Sequence, residues 1–102
     1  MNLNQVTLPA ANVADSVAYF RRMGFTQIVD SPHYARFACP NGDATFSVHF
    51  ADSIPDESGV TVYFECDDLD ALYTDLQRRG FDFLQQPTDQ DWLWREARLA
   101  DP

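Results

Sequence analysis

The chain has 102 residues, 45% of them apolar and 14% aromatic, enough for one domain with its own core and too hydrophobic for a disordered segment. Sixteen acidic residues against seven basic ones leave a net charge of −9, so a nucleic acid, whose phosphates need a basic face, is not expected as a partner. All seven basic residues are arginine, which excludes a Schiff-base lysine and a phosphate-loop lysine.

In chain order, Gln5-Val6-Thr7-Leu8 alternates as a half-buried strand does. The segment NVADSVAYFRRMGF follows, beginning at Asn12. Asn12 is a capping residue, and Val13, Val17 and Phe20 recur at helical spacing. Arginines close its last turn and Gly24 supplies the left-handed exit. Thr26–Asp30 and Tyr34–Cys39 read as strands, and Pro40-Asn41-Gly42 as a turn into a fourth, Ala44–Phe50. Acidic Ala51–Ser58, with its proline, reads as a linker. The longest apolar run is Val60–Phe64, far short of the roughly 20 residues of a membrane span, so no membrane association is expected. The start MNLNQVTLPA has neither a basic cluster nor an apolar signal region. A cytoplasmic location is therefore expected, with Cys39 and Cys66 as reduced structural thiols.

The second half repeats the first. DLDALYTDLQRRGF begins at Asp68, 56 positions after Asn12, and Gly80 stands at the same offset from Gly24. Thr61-Val62-Tyr63-Phe64 aligns with Gln5–Leu8 as a strand ahead of its helix. Phe81–Gln85 and Leu93–Ala100 read as the strands that follow. The stretch around Arg98 matches that around Arg36 at a larger offset, which places about six extra residues in the loop PTDQDW. One copy thus reads βαβββ and the other βαββ, ending at the point that matches Pro40. A shortened chain, or a C-terminus not represented here, is the expectation.

Three stretches taken together resemble the vicinal oxygen chelate superfamily of glyoxalases, bleomycin-resistance proteins and extradiol dioxygenases. They are Asn12-Val13 through Phe20 to Gly24-Phe25, Phe64-Glu65-Cys66-Asp67-Asp68-Leu69-Asp70, and Trp94-Arg95-Glu96 leading to Leu99, Asp101 and Pro102. The resemblance implies an α+β fold: one domain over residues 1–102, built from tandem βαβββ modules forming an open half-barrel around a cleft. Module one would span about 3–50, the linker 51–58 and module two 59–102, the second lacking its last strand. A homodimer is expected, because such clefts and edges are often completed by a second chain.

In metal-dependent members a ligand sits on the first and the last strand of each module. The first-strand positions fall on Gln5 and Thr61. Gln5 is a tolerable ligand for a divalent metal and Thr61 a poor one. On the fourth strand, counting from the turn reaches Phe46, whereas alternation puts Thr45, Ser47 and His49 on one face. A one-residue bulge would reconcile these readings. Weak metal candidates are therefore Gln5 and His49, and a divalent metal is an open possibility.

Gln5, Thr7, Ser47, His49, Thr61 and Tyr63 are expected to line the cleft and contact a ligand. Trp92 and Trp94, in and after the extra loop, either close the core or overhang the cleft to stack on a planar ligand. Glu65 shares strand parity with Thr61 and Tyr63; turned inward among apolar residues, it would have a raised pKa and is a weak candidate base. His33 is expected to be exposed, and Asp67-Asp68-Leu69-Asp70 to cap a helix rather than hold a cation. Arg36 and Arg98, as equivalents, suggest pairing with acidic neighbours, and only one of Arg95 and Glu96 can face inward. Two functions follow: binding of a small apolar or aromatic molecule, or metal-dependent lyase, isomerase, transferase or dioxygenase chemistry on a substrate with vicinal oxygens.

Overall fold

A computed structural model describes residues 1–55, 59–92 and 94–102. In order they form β1 (Gln5–Ala10), α1 (Val13–Met23), β2 (Thr26–Ser31), β3 (Tyr34–Ala38), β4 (Thr45–Phe50), α2 (Leu69–Arg78), β5 (Gln85–Asp89) and β6 (Arg95–Arg98). The class is α+β, with one four-stranded sheet ordered β1-β4-β3-β2 and a two-stranded sheet of β5 and β6. The chain divides into two compact units, 1–61 with Pro102, and 62–101.

In the first unit β1 and β4 run parallel, with Gln5 opposite Thr45 and Ala10 opposite Phe50. A parallel pair needs a long crossover, which α1, β2 and β3 provide. β3 pairs antiparallel with both β4 and β2. Pairing of β4 is unbroken against both neighbours, so it carries no bulge. Alternation therefore decides its faces: Thr45, Ser47 and His49 on one side, Phe46, Val48 and Phe50 on the other. The irregularity lies in β2 instead, between Gln27 and Val29.

The helix α1 covers the apolar face. Ala10, Val13, Phe20, Ala35, Phe37, Phe46 and Val48 form its buried cluster. Phe46 sits among three other rings, 4.9 Å from Phe20, 5.0 Å from Phe25 and 5.2 Å from Phe37 between centroids. Each fully buried Phe or Val contributes about 1.5–3 kcal/mol over its exposed state, which makes this face the main source of the unit's stability.

The 56-residue repeat extends to individual hydrogen bonds at the helix ends. Asn12 Oδ1 accepts from the Asp15 amide at 3.1 Å, and Asp68 Oδ1 from the Ala71 amide at 3.0 Å. At the exits, the Phe25 amide bonds the Phe20 carbonyl and the Phe81 amide bonds the Leu76 carbonyl, both at 3.1 Å. Gly24 and Gly80 make these exits with φ of 118° and 90°, where a Cβ would be strained. The acidic run at 67–70 thus includes a helix cap.

The second unit departs from the sequence expectation in its strands. Residues 61–64 form no strand. β1 owes its ladder to β4, and no strand described in the second unit stands in the corresponding place beside 61–64. Alternation alone does not make a strand, which also needs a neighbouring strand to pair with. The strand expected over Phe81–Gln85 starts only at Gln85, and Pro87, Thr88 and Asp89 of the expected loop belong to it. Phe81 is instead buried with Leu76, and the Phe83 ring meets Tyr73 at 4.6 Å, so this stretch covers α2 before it pairs. Pro87, which has no N–H to donate, falls inside the register shift between Gln85 and Thr88. Residues 56–58 of the linker and Leu93 of the expected last strand lie outside the described residues.

Candidate functional site

The sheet of the first unit has one apolar and one polar face. Register places Gln5, Thr7, Thr45, Ser47 and His49 together with Tyr34 and Arg36 on the polar one. Thr7 Oγ1 and Ser47 Oγ are 2.7 Å apart, and Ser47 is fully buried. The Tyr34 hydroxyl donates to Gln5 Oε1 at 3.2 Å. Arg36 donates to Thr45 Oγ1 from Nε and Nη2 at 3.2 and 2.9 Å, and from Nη2 to Asn4 Oδ1 at 3.1 Å. Hydrogen bonding by the Ser47 and then the Gln5 side chain draws the Tyr34 phenol below its ordinary value of 10.0, against a smaller upward push from burial.

Four of the expected ligand-binding residues are thus collected on one face. His49 is exposed and makes a tilted ring contact with Tyr34 at 6.4 Å between centroids. Tyr34 and Arg36 were not among the residues expected to contact a ligand. Among the described residues Arg36 pairs with no acidic neighbour, contrary to its likeness to Arg98, whose Nε lies 3.5 Å from Glu96 Oε1. Strand parity carried the signal: in Tyr34-Ala35-Arg36-Phe37 the two apolar residues are buried, which turns Tyr34 and Arg36 to the polar side.

In the second unit the site is aromatic. The Tyr63 ring lies 5.5 Å from Trp94, and Trp94 lies 5.9 Å from Trp92 in an edge-on arrangement. All three remain open to solvent, at 60%, 48% and 56% exposure respectively. The β5–β6 hairpin sets this ledge: the Gln90 amide bonds the Trp94 carbonyl at 2.7 Å. Arg95 ties it down, donating to Asp70 of α2 at 3.0 Å and to Asp89 of β5 at 3.1 Å. Glu96 is the inward member of its pair, with a side chain 11% exposed and Oε2 lacking a hydrogen-bond partner among the described residues.

Other candidates gain less from the structure. Glu65 is exposed rather than turned inward among apolar residues. Thr61 is exposed as well. Both cysteines are free; burial raises the Cys39 thiol, and burial followed by the Asp67 and Asp68 carboxylates raises Cys66. A depression of about 560 Å³ runs along β2, lined by Arg21, Phe25 and residues 26–30, none of which was expected at a site.

The sequence model of the Glyoxalase/Bleomycin resistance protein/Dioxygenase superfamily matches residues 2–102. The chain belongs to this superfamily. Its fold is similar to that of a superfamily member from Sphaerobacter thermophilus DSM 20745, with a TM-score of 0.77, 19% identity, and coverage of 100% of this chain and 90% of that one. A bleomycin-binding protein complexed with bleomycin matches at a TM-score of 0.73 and 18% identity, covering 100% and 91%. The bleomycin resistance determinant encoded on transposon Tn5 matches at 0.71 and 19%, covering 100% and 90%. Identities this low carry the fold alone. No curated protein matches the chain.

Superfamily membership raises the question of a divalent metal, and the polar face does not suit one. Its donors are hydroxyls, one amide and one imidazole, with no carboxylate and with a guanidinium among them. Hard divalent cations need anionic oxygen ligands. Among the described residues no three of His, Cys, Asp and Glu come together as a metal cluster. Phe46, the alternative fourth-strand position, is buried in the core. No described helix is long and apolar enough to cross a membrane.

Proposed function

We propose that this protein binds a small molecule with a planar, apolar surface on the ledge of Tyr63, Trp92 and Trp94. One observation carries the reading: three aromatic rings, Tyr63 and Trp92 each in contact with Trp94, stay about half exposed or more, where a chain with only a structural use for them would bury them. Two fold relatives bear the words bleomycin-binding and bleomycin resistance, and ligand holding without chemistry suits the absence of a fitting metal donor set on the polar face. The protein works as a cytoplasmic homodimer, one domain of modules 3–50 and 59–102, and its charge of −9 keeps it from nucleic acid.

The test is a tryptophan-fluorescence titration with bleomycin and a panel of planar heteroaromatic compounds. Saturable quenching by at least one compound is expected, weakened about tenfold or more by Trp94→Ala. A panel that produces no saturable change, or a Trp94→Ala protein that binds as the parent does, overturns the reading.

A further inference from the structure

We propose that the polar face of the first sheet is a binding site for a small carboxylate, held by Arg36 with Tyr34 beside it. This face belongs to the first unit, and the proposal does not rest on the aromatic ledge. Arg36 is fixed in place by three hydrogen bonds, all to neutral acceptors. No described carboxylate pairs with it, whereas Arg79 and Arg98 each engage one and Arg95 engages two. Nη1 makes none of these bonds, so its two hydrogens are uncommitted. A guanidinium that is immobilised but not neutralised keeps its charge for an incoming anion and loses little side-chain freedom on binding it.

The surroundings favour the same ligand. No residue that the register places on this face of β1, β3 or β4 is acidic, although the chain has sixteen acidic residues. Tyr34, two positions from Arg36 on the same face, holds Gln5 through a long bond of 3.2 Å. Its hydroxyl is able to turn to a better acceptor, because an ionised oxygen takes a shorter and stronger hydrogen bond than an amide does. Charge selects a monoanion. One guanidinium matches one carboxylate, and the excess charge of a phosphate dianion would meet the repulsion of a −9 chain.

The experiment is NMR of the isotopically labelled full chain, following the arginine Nε–H signals during titration with sodium acetate, acetamide or inorganic phosphate at matched ionic strength. Acetate is expected to shift the Arg36 signal saturably, with acetamide inert and phosphate weaker than acetate. Arg36→Gln should weaken acetate binding about tenfold or more. Tyr34→Phe should weaken it severalfold, and Arg21→Gln should leave it unchanged. If Arg36→Gln does not fold, Tyr34→Phe decides: unchanged affinity overturns the site. Equal response to acetamide, an unsaturable shift shared by all arginines, or tighter binding of phosphate each overturns it too. Loss of ligand binding at the tryptophans would leave these outcomes untouched.

Discussion

Phe46 and Ser47 are adjacent on β4 and equally closed to solvent, at 1% and 0% exposure, yet they serve opposite faces of the sheet. Phe46 is packed among the rings of Phe20, Phe25 and Phe37 beneath α1. Ser47 meets the Thr7 hydroxyl on the far side. The period of two along a strand thus separates what holds the unit together from what equips its polar face.

The two positions should differ sharply under truncation. Phe46→Ala is expected to cost about 3–5 kcal/mol, the usual range for removing a buried ring. Ser47→Ala, which removes one hydroxyl pair, should cost about 1 kcal/mol. Urea unfolding measures both. Equal losses would show that the face assignment is wrong.

Ser16 presents the reverse case. Its hydroxyl is buried in α1 against the core and has no hydrogen-bond partner among the described residues. Ser16→Ala removes an unsatisfied polar atom and improves helix propensity. The expected result is a gain of about 1 kcal/mol in the same unfolding assay; a loss would mean that the hydroxyl finds a partner in solution.

Tyr34 should ionise at a lower pH than an ordinary phenol, chiefly through hydrogen bonding by the Ser47 side chain. A depressed folded-state pKa contributes stability that is complete above the unfolded value of 10.0 and is lost as pH falls through the folded one. At neutral pH this contribution is absent. Ultraviolet titration should show a phenolate step below 10.0 that disappears in Tyr34→Phe and moves upward in Ser47→Ala. A titration unaltered by Ser47→Ala would remove Ser47 as the cause.

The paired caps offer a test of the repeat. Asn12→Ala and Asp68→Ala each delete one side-chain acceptor from a helix start, and each should cost about 1 kcal/mol. Amide exchange should localise the loosening to the first turn of α1 in one variant and of α2 in the other. Asn12→Ser and Asp68→Ser, which keep a side-chain acceptor, should avoid most of the loss.

Those caps were legible in the sequence because they are local. Asn12 and Gly24, with their counterparts 56 residues on, determine helix ends through bonds spanning a few residues. The faces of β4 followed from alternation, once unbroken pairing removed the bulge. Residues 61–64 misled for the opposite reason: their alternation matches that of β1, but a strand also needs a remote partner, which local sequence does not contain. Arg36 was obscured by its likeness to Arg98. The two share a place in the repeat but not an environment, since Glu96 lies near one and Thr45 and Asn4 near the other. Arg95, adjacent to Glu96 in sequence, shows its purpose only when α2 and the β5–β6 hairpin bring Asp70 and Asp89 to it.

An acid-free polar face within a strongly acidic chain has a consequence for the speed of capture. A small anion must cross the repulsive field of the whole molecule before it comes within reach of Arg36. Dissolved salt shortens that field to about 10 Å at 0.1 M, while the guanidinium's pull at contact distance is screened much less. Added salt should therefore quicken arrival, the reverse of what it does when two oppositely charged molecules meet.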